Sequence, residues 1–449
     1  MNAVQSTPIQ RPSLMKMTWP VFIELSMAML VGNVDQFMIS NYDNNSVSAI
    51  GNANTVMNLL ILTFNIISLS TTILVSQYIG ANQKEKLDKV YSLAVAVNLT
   101  LGAVVSAGLV IFAKPIAHLM NINPVLLDRF QTYFTIVGGM IFTQALFSTF
   151  SAILKSNAHV KSIMFISIGI NLINIVLNAL LIYGIGPFPE LGIAGVAIAT
   201  VVGRIVGLVL VILIYMKQIG VKLSIKKIMP FPKDIFKKML SIGIPSAGES
   251  ISYNLTLLII MRMINPFGPD VSNTKFYASM FATFTWMFAS AISQASQILV
   301  GYYIGAGDRD SAARQVKKTL KLAILISFII GVIICTISDG MFSLMTSNKD
   351  IWELGKKVLA IDIILECGRA VNIVMVRSLQ AAGDTKFPIM LGIISTWSIA
   401  VLMSYVLGVH FNLGLVGIWI AMAGDECVRG IIFIFRWKQG KWRKINLLK

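Results

Sequence analysis

The sequence predicts an all-α polytopic membrane protein, with twelve transmembrane helices arranged as two pseudo-symmetric six-helix bundles in parallel repeat. Three observations carry that expectation. Of the 449 residues, 56% are apolar and only 13% are charged, whereas soluble domains carry about 25% charged residues. Mean hydropathy is +0.76, and apolar runs long enough to cross a bilayer, about 20 residues each, recur along the chain. The same residues then return in the second half at a constant offset. Only helices and closed barrels satisfy their backbones in lipid, and a barrel would read as roughly 10-residue alternating strands. The composition also excludes disorder, a coiled coil, a fibrous protein and an ordinary cytosolic enzyme.

The first six candidate spans are 17–40, 47–79, 89–113, 131–154, 162–184 and 192–216. The second six are 238–263, 274–305, 317–338, 354–382, 386–408 and 414–435. The second and eighth are longer than a bilayer requires, so they tilt or project beyond it. Residues 1–16 are polar and lack the apolar stretch of a cleaved signal, so the first span is expected to be an uncleaved anchor. The expected organisation is a cytoplasmic segment 1–16, an N-lobe 17–216, a linker 217–237, a C-lobe 238–435 and a tail 436–449. The linker is basic and holds Pro230 and Pro232. With the amino terminus inside and residues near span ends counted with the adjoining loops, which puts Lys275 in an outer loop and Arg377 in a cytoplasmic segment, most of the 37 Lys and Arg are cytoplasmic and only Arg204, Arg369 and Arg429 remain within spans. That bias places both termini in the cytoplasm of a protein of the cell membrane. It also accounts for the net charge of +17 without a nucleic-acid partner. Cys335, Cys367 and Cys427 lie in apolar segments without metal-ligand spacing and are expected to pack.

The repeat is the most informative feature. Pro20 and Glu24 return as Pro245 and Glu249. The stretch from Ile73 through Gln77, Gly80 and Ala81 returns from Ile298 through Tyr302, Gly305 and Ala306, and Leu154 and Lys161 return as Leu379 and Lys386. An even number of spans per repeat makes the copies parallel, related by an axis along the membrane normal. Halves of that kind enclose a midplane cavity and rock against each other, which is a transporter's architecture.

These residues resemble the multidrug and toxic compound extrusion (MATE) family over about 15–445. The resemblance rests on Pro20, Glu24 and Val31–Asp35, on the paired Gln77–Ala81 and Tyr302–Ala306 ends, on Ala381–Asp384, and on Asp425, Glu426, Arg429 and Gly430. It implies export of amphipathic, often cationic compounds, driven by inward movement of protons or sodium.

A charge at the bilayer centre costs at least about 2.5–3.5 kcal/mol, so each intramembrane charge pairs, faces a wet cavity or titrates. Asp35 lies eleven residues after Glu24, close to three whole turns at about 3.6 residues each, so the two acids share one helix face. The repeat position of Asp35 is Ile260, whereas Glu24 has a counterpart in Glu249. A residue kept in both halves suits shared architecture, and one present in a single half suits a function located there. Asn171, Asn174 and Asn178 form a polar stripe on the fifth span, with Gln144 and Thr200 available to complete a pocket. Two roles fit: a coupling-ion site, or a structural acid with asparagines gluing helices together. The resemblance implies the first, with Asp35, Asn174, Asn178 and Thr200 as the coupling set. In other members the position matched to Asn178 can be an acid; here it is neutral.

In the second half Asp362, Glu366 and Arg369 share a face of the tenth span, and Asp425, Glu426 and Arg429 lie in the twelfth. Both groups can be neutralised within their own helix, which makes Asp362, Arg369, Asp425, Glu426 and Arg429 a structural charge network. Glu24, Glu249 and Glu366 are candidates for a second acidic site. Met27, Met29 and Met38 lie near the first-span acids and, with Gln144 and Asn171, are candidate walls of a substrate cavity. Asp384 is expected to cap the eleventh helix.

No phosphate-binding loop, metal-ligand spacing or catalytic cluster is present, so neither enzyme activity nor a metal or organic cofactor is expected. The predicted function is a cation-coupled antiporter, working as a monomer among membrane lipids on small organic substrates. A proton is favoured slightly over sodium. A flippase for lipid-linked glycans or phospholipids is the alternative, disfavoured because most charges within spans are acidic. A multispan membrane enzyme is the third reading.

Overall fold

The computed structural model describes residues 12–448; most of the expected amino-terminal segment and Lys449 lie outside the described residues. Twelve long helical segments cover the rest, and the described residues hold no strand. They are α1 (Leu14–Ser40), α2 (Asn44–Gly80), α3 (Lys84–Ile111), α4 (Pro124–Gly139 continuing as Ile141–Ser156), α5 (Val160–Tyr183) and α6 (Ile193–Gln218). The second half repeats the order as α7 (Lys233–Ile264), α8 (Pro269–Gly305), α9 (Arg309–Thr336), α10 (Lys349–Ala381), α11 (Lys386–His410) and α12 (Gly414–Lys438).

Local chemistry explains where these helices begin and bend. Ser13 caps α1 by accepting from Lys16 N–H at 3.4 Å, and Asp43 caps α2 by accepting from Asn45 N–H at 3.1 Å. Gly184 ends α5 in the left-handed conformation, at φ +64°. A bend of 43° in α4 was not foreseen. It falls just after Gly138 and Gly139, whose bare backbones lie against Leu109 and Val110 of α3. α11 also loosens into π-helical turns over Thr396–Val401 and Tyr405–His410.

Seven described helices are long and apolar enough to cross a membrane, or up to eight with the bent α4. The four others, α7, α8, α10 and α12, have 32, 37, 33 and 25 residues and are at least as long as a span requires. They fall short in hydropathy because they carry Glu249, Lys275, four charges from Asp362 to Arg377, and the Asp425–Arg429 cluster. Their polar faces turn toward one another around an internal cavity. In the first half α2 packs on α3 and α4, and α5 packs on α6. α1 crosses to α8, and α2 to α7 and α8, so these helices form the interface between the halves.

That interface closes at one end on a reciprocal contact. Gln77 Nε2 donates to the Ala381 carbonyl at 2.6 Å, and the Tyr302 hydroxyl donates to the Ser156 carbonyl. Gly80 lies against the Tyr302 carbonyl and Gly305 against the Gln77 carbonyl, each too close for a Cβ. Gln77 and Tyr302 are repeat equivalents, as are Gly80 and Gly305, and Ser156 and Ala381. Contacts that map onto each other in both directions are those of a two-fold axis between parallel repeats. Almost every residue of α2 from Ile67 to Tyr78 and of α8 from Met287 to Tyr302 is buried there. At the opposite end of α1, Phe37 is 67% exposed.

The chain after α12 returns across the sealed end. Trp442 stacks on Trp437 with ring centroids 4.0 Å apart, and Arg436 Nε pairs with Asp384 at 2.8 Å. Asp384 therefore ties α12 to the α10–α11 turn, and it makes no cap on α11, whose first turn has no side-chain cap. Leu447 and Leu448 join the core cluster around Val90 and Tyr91 of α3, and Lys86 Nζ donates to the Leu448 carbonyl at 3.1 Å.

Gly305→Ala would put a methyl group into the Gln77 backbone. It should destabilise the sealed form by about 1–3 kcal/mol, read as a lower thermal unfolding midpoint in detergent. Gly340→Ala, at a glycine with open space around it, is the control and should not lower the midpoint. Equal midpoints for the two variants would show that the seam relaxes freely.

Candidate functional site

Two cavities lie on either side of the interface, one in each half. The first has a volume of about 330 Å³ and is lined by Asp35, Gln36, Asn54, Tyr133 and Met29. Asn174 and Asn178, one turn apart on α5, both present their side chains to α1 and are buried. Asn178 Nδ2 donates to Asp35 Oδ1 at 2.6 Å, and the Asn174 amide nitrogen, turned to face the carboxylate, reaches the same oxygen at 2.8 Å. Among the described residues no cation is within ion-pair distance of Asp35, so neutral amides alone hold this acid. Thr200 does not reach it; Thr200 lies against the Tyr133 hydroxyl, which also contacts Asn54 Oδ1 at 3.4 Å. Arg204 follows one turn later beside Tyr133, its Nη1 buried without a partner.

The other first-half candidates are dispersed. Glu24 pairs with Lys155 Nζ at 2.8 Å. The sequence places Lys155 in a cytoplasmic loop, but it belongs to the last turn of α4. Gln144 turns to Ser148 on its own helix at 3.5 Å. Asn171 and Met27 are half-buried, and Met38 packs on the first-half core while its carbonyl accepts from Tyr183 at 2.8 Å.

The second cavity, of about 640 Å³, is lined by α7, α8, α10, α11 and α12, with Leu62 and Leu69 of α2 reaching it from the first half. Along its wall the two charge groups expected to be separate form one network. Glu366 pairs with Arg369, Arg369 Nε reaches Glu426 at 3.3 Å, and Arg429 holds Glu426 at 3.2 Å and Asp425 at 2.6 Å. Neutral donors complete it: Asn372 Nδ2 gives to Glu426 Oε2 at 2.6 Å and Ser395 Oγ to Asp425 Oδ1 at 2.5 Å. Asp362 accepts from Trp419 Nε1 at 3.0 Å. Glu249 lies against the bare backbone of Gly392 on α11.

Two cations were missed. Lys275 was placed in an outer loop and Arg377 in a cytoplasmic segment, yet both line this cavity. Its lining charges are the carboxylates Glu249, Asp362 and Glu426 against Lys275, Arg369, Arg377 and Arg429. With Glu366 and Asp425, which pair with these arginines along the wall, five carboxylates face four cations, so the expected excess of acids is narrow here. The available signal was length: α8 and α10 are each far longer than a span, so charges near their ends remain on the helix.

Breaking this network at Arg429 leaves two buried carboxylates with less compensation. Arg429→Met should cost about 3–5 kcal/mol of stability, visible in detergent thermal unfolding. Adding Asp425→Asn and Glu426→Gln should recover part of it. An unchanged midpoint for Arg429→Met alone would show that water already screens the pair.

The family comparison agrees with this architecture. The MatE family model matches residues 20–180 and 245–406, one stretch in each half. The chain is 40% identical over 443 residues to the Bacillus subtilis (strain 168) protein named Uncharacterized transporter YisQ, covering 98% of this chain and 97% of that one. It is 25% identical over 451 residues to a Thermotoga maritima protein named Probable multidrug resistance protein NorM, covering 99% and 96%. The fold matches a crystal structure of the Vibrio cholerae MATE transporter VcmN with a TM-score of 0.89 at 18% identity, over 97% of each chain. With a family match in both repeats and a 40% identical relative along nearly its whole length, the chain belongs to the MatE family of multi-pass membrane transporters.

Proposed function

We propose that this transporter is a cation-coupled exporter of amphipathic organic compounds that works by alternating access, with Asp35 as its coupling group. The observation that carries the reading is the Asp35 carboxylate, set in a cavity and held by the amides of Asn174 and Asn178 without a counter-ion. An ion gradient can bias two access states only through a group whose affinity for the ion differs between them. A carboxylate held in a cavity by neutral amides, with no cation beside it among the described residues, supports a proton, while the same amides also own oxygens that suit sodium. The relative named as a multidrug resistance protein supports organic substrates. A lipid flippase is the second reading, and Lys275 and Arg377 in the larger cavity are the observation that favours it.

The repeat supports a site confined to the first half. At the positions equivalent to Asp35, Asn174 and Asn178 stand Ile260, Ile399 and Met403. Ile260 is buried in the second-half core. Loop charges support a cytoplasmic location for the sealed end and for both termini. An impermeant amine reagent should therefore label the exposed Lys84 in broken cells and not in intact ones.

Asp35→Asn keeps size and hydrogen bonding while removing the charge. It should abolish dye efflux from vesicles under an imposed pH gradient, with expression and thermal stability close to wild type. Ile260→Asp added to it should not restore efflux. Running the same assay under an imposed sodium gradient separates the two ions. Undiminished driven efflux by well-folded Asp35→Asn protein would remove Asp35 from coupling.

A further inference from the structure

A line of hydrogen bonds runs from the wall of the larger cavity to the sealed end. Arg377 of α10 faces the Glu249 carboxylate in the cavity. Its Nη1 also gives a hydrogen bond to Gln297 Oε1 on α8 at 3.3 Å. Gln297 Nε2 gives to Gln380 Oε1, back on α10, at 3.4 Å, and Gln380 Nε2 gives to Ser246 Oγ on α7 at 3.2 Å. The Ser246 hydroxyl ends the line on the Ile242 carbonyl at 3.0 Å. Every bond points away from the cation, so each amide accepts on one side and donates on the other. Chains of that kind polarise and strengthen one another. Gln297 and Gln380 are 2% and 3% exposed. Neither amide can turn to water when its partner leaves, and an unmade bond is costly there.

The far end of the line touches the interface between the halves twice. Gln380 is followed by Ala381, whose carbonyl accepts from Gln77 of the first half at 2.6 Å. Ser246 lies one turn after Gly243, whose bare backbone sits against the Ile66 backbone of α2. α7 packs on α2 and α11 rather than on α10, so the bond from Gln380 to Ser246 ties α7 to α10 across the cavity. In the first half the equivalents of Arg377, Gln297, Gln380 and Ser246 are Ala152, Thr72, Lys155 and Val21. Ala152 and Val21 are buried and apolar, and Lys155 pairs directly with Glu24. The seam is symmetric, yet this line belongs to the second half.

We propose that the larger cavity reports its occupancy to the sealed end through Gln297 and Gln380. A compound that engages Arg377 or Glu249 draws the guanidinium off Gln297. The two buried amides then reorient, the bond to Ser246 is lost, and the Ala381 carbonyl shifts away from Gln77. Gln297 is a positioning residue: it lines neither cavity and acts through Arg377 and Gln380. A ligand shifts two states only by binding them unequally, and the state of this line supplies the inequality. The proposal deepens the export reading and rests on it, with the larger cavity as the place where the compound binds.

The test uses full-length protein in detergent carrying Cys335→Ala, Cys367→Ala and Cys427→Ala, with spin labels at Lys84→Cys and Arg309→Cys. These two exposed positions are repeat equivalents at the starts of α3 and α9, so double electron–electron resonance between them reads the sealed end. The probe is ethidium, and its binding is followed on the same samples by fluorescence polarisation. Saturating ethidium should raise the open-to-sealed ratio of this parent about fivefold, the size expected for losing one buried hydrogen bond. Gln297→Met should bind ethidium with unchanged affinity, start near the raised ratio without dye and gain nothing when dye is added. Gln297→Glu still accepts from Arg377 and cannot give to Gln380. It should lose the response too, and it carries the test if Gln297→Met does not fold. Thr72→Val, at the equivalent position of the first half, should respond like the parent. A dye response in the Gln297 variants equal to the parent's overturns the proposal, as does a Thr72→Val variant that also loses the response. A parent that binds dye and does not open overturns the proposal alone. Trp286→Ala, on the cavity wall, should weaken ethidium. No saturable binding, or binding unmoved by that change, overturns the reading that this cavity holds the compound, and the proposal with it.

Discussion

The structure depends on two backbone-directed hydrogen bonds and two bare glycines where α2 meets α8. The bond from Gln77 to Ala381 and the bond from Tyr302 to Ser156 each run from one half to the other. Gly80 and Gly305 let the helices approach until backbone meets backbone. Lipid gives helices no hydrophobic reason to associate, so close packing of small residues and interhelical hydrogen bonds supply the attraction. Placing that attraction at one end leaves the rest of the interface free to part, and each half keeps its cavity beyond the seam. Because the two bonds are mates about one axis, separating the halves there breaks both, which favours a switch between discrete arrangements over gradual widening.

On this symmetric frame the chemistry is asymmetric. Symmetric positions such as Glu24 and Glu249 sit in different company: Glu24 meets Lys155, whereas the residue equivalent to Lys155 is Gln380 and no cation comes within ion-pair distance of Glu249 among the described residues. The first-half cavity holds a single acid among amides; the second holds a network in which carboxylates and cations nearly balance. Duplicated architecture lets the two copies diverge in the polar groups they present to their cavities, while the seam contacts stay common to both.

Much of this was legible in the sequence. Apolar runs and a constant repeat offset report the helices and their pairing because lipid permits few alternatives. Spacing showed a polar stripe on the fifth span, and the family resemblance is what joined Asn178 to Asp35. The misses share one cause. Assigning basic residues to loops by net bias is sound for topology but blind to where a helix ends, so Lys155, Lys275 and Arg377 were moved off the helices that carry them. The bend after Gly138 and Gly139 depends on what α3 places opposite, and the partner of Asp384 is 52 residues away at Arg436; neither is a local property.

The returning carboxyl-terminal segment has a mechanical consequence. It leaves the last helix of the second half and ends against α3 of the first, where Lys86 holds the Leu448 carbonyl. Beside the linker, which is covalent at both ends, it makes a second strap across the same face, held at its far end by that hydrogen bond and by the packing of Leu447 and Leu448. An extended chain spans at most about 3.3–3.6 Å per residue, so the distance between its two anchors has a hard ceiling while both hold. The molecule thereby carries a travel stop: the sealed end can gape only as far as ten residues of peptide allow from Lys438 to Leu448, and wider cargo requires the tail to let go.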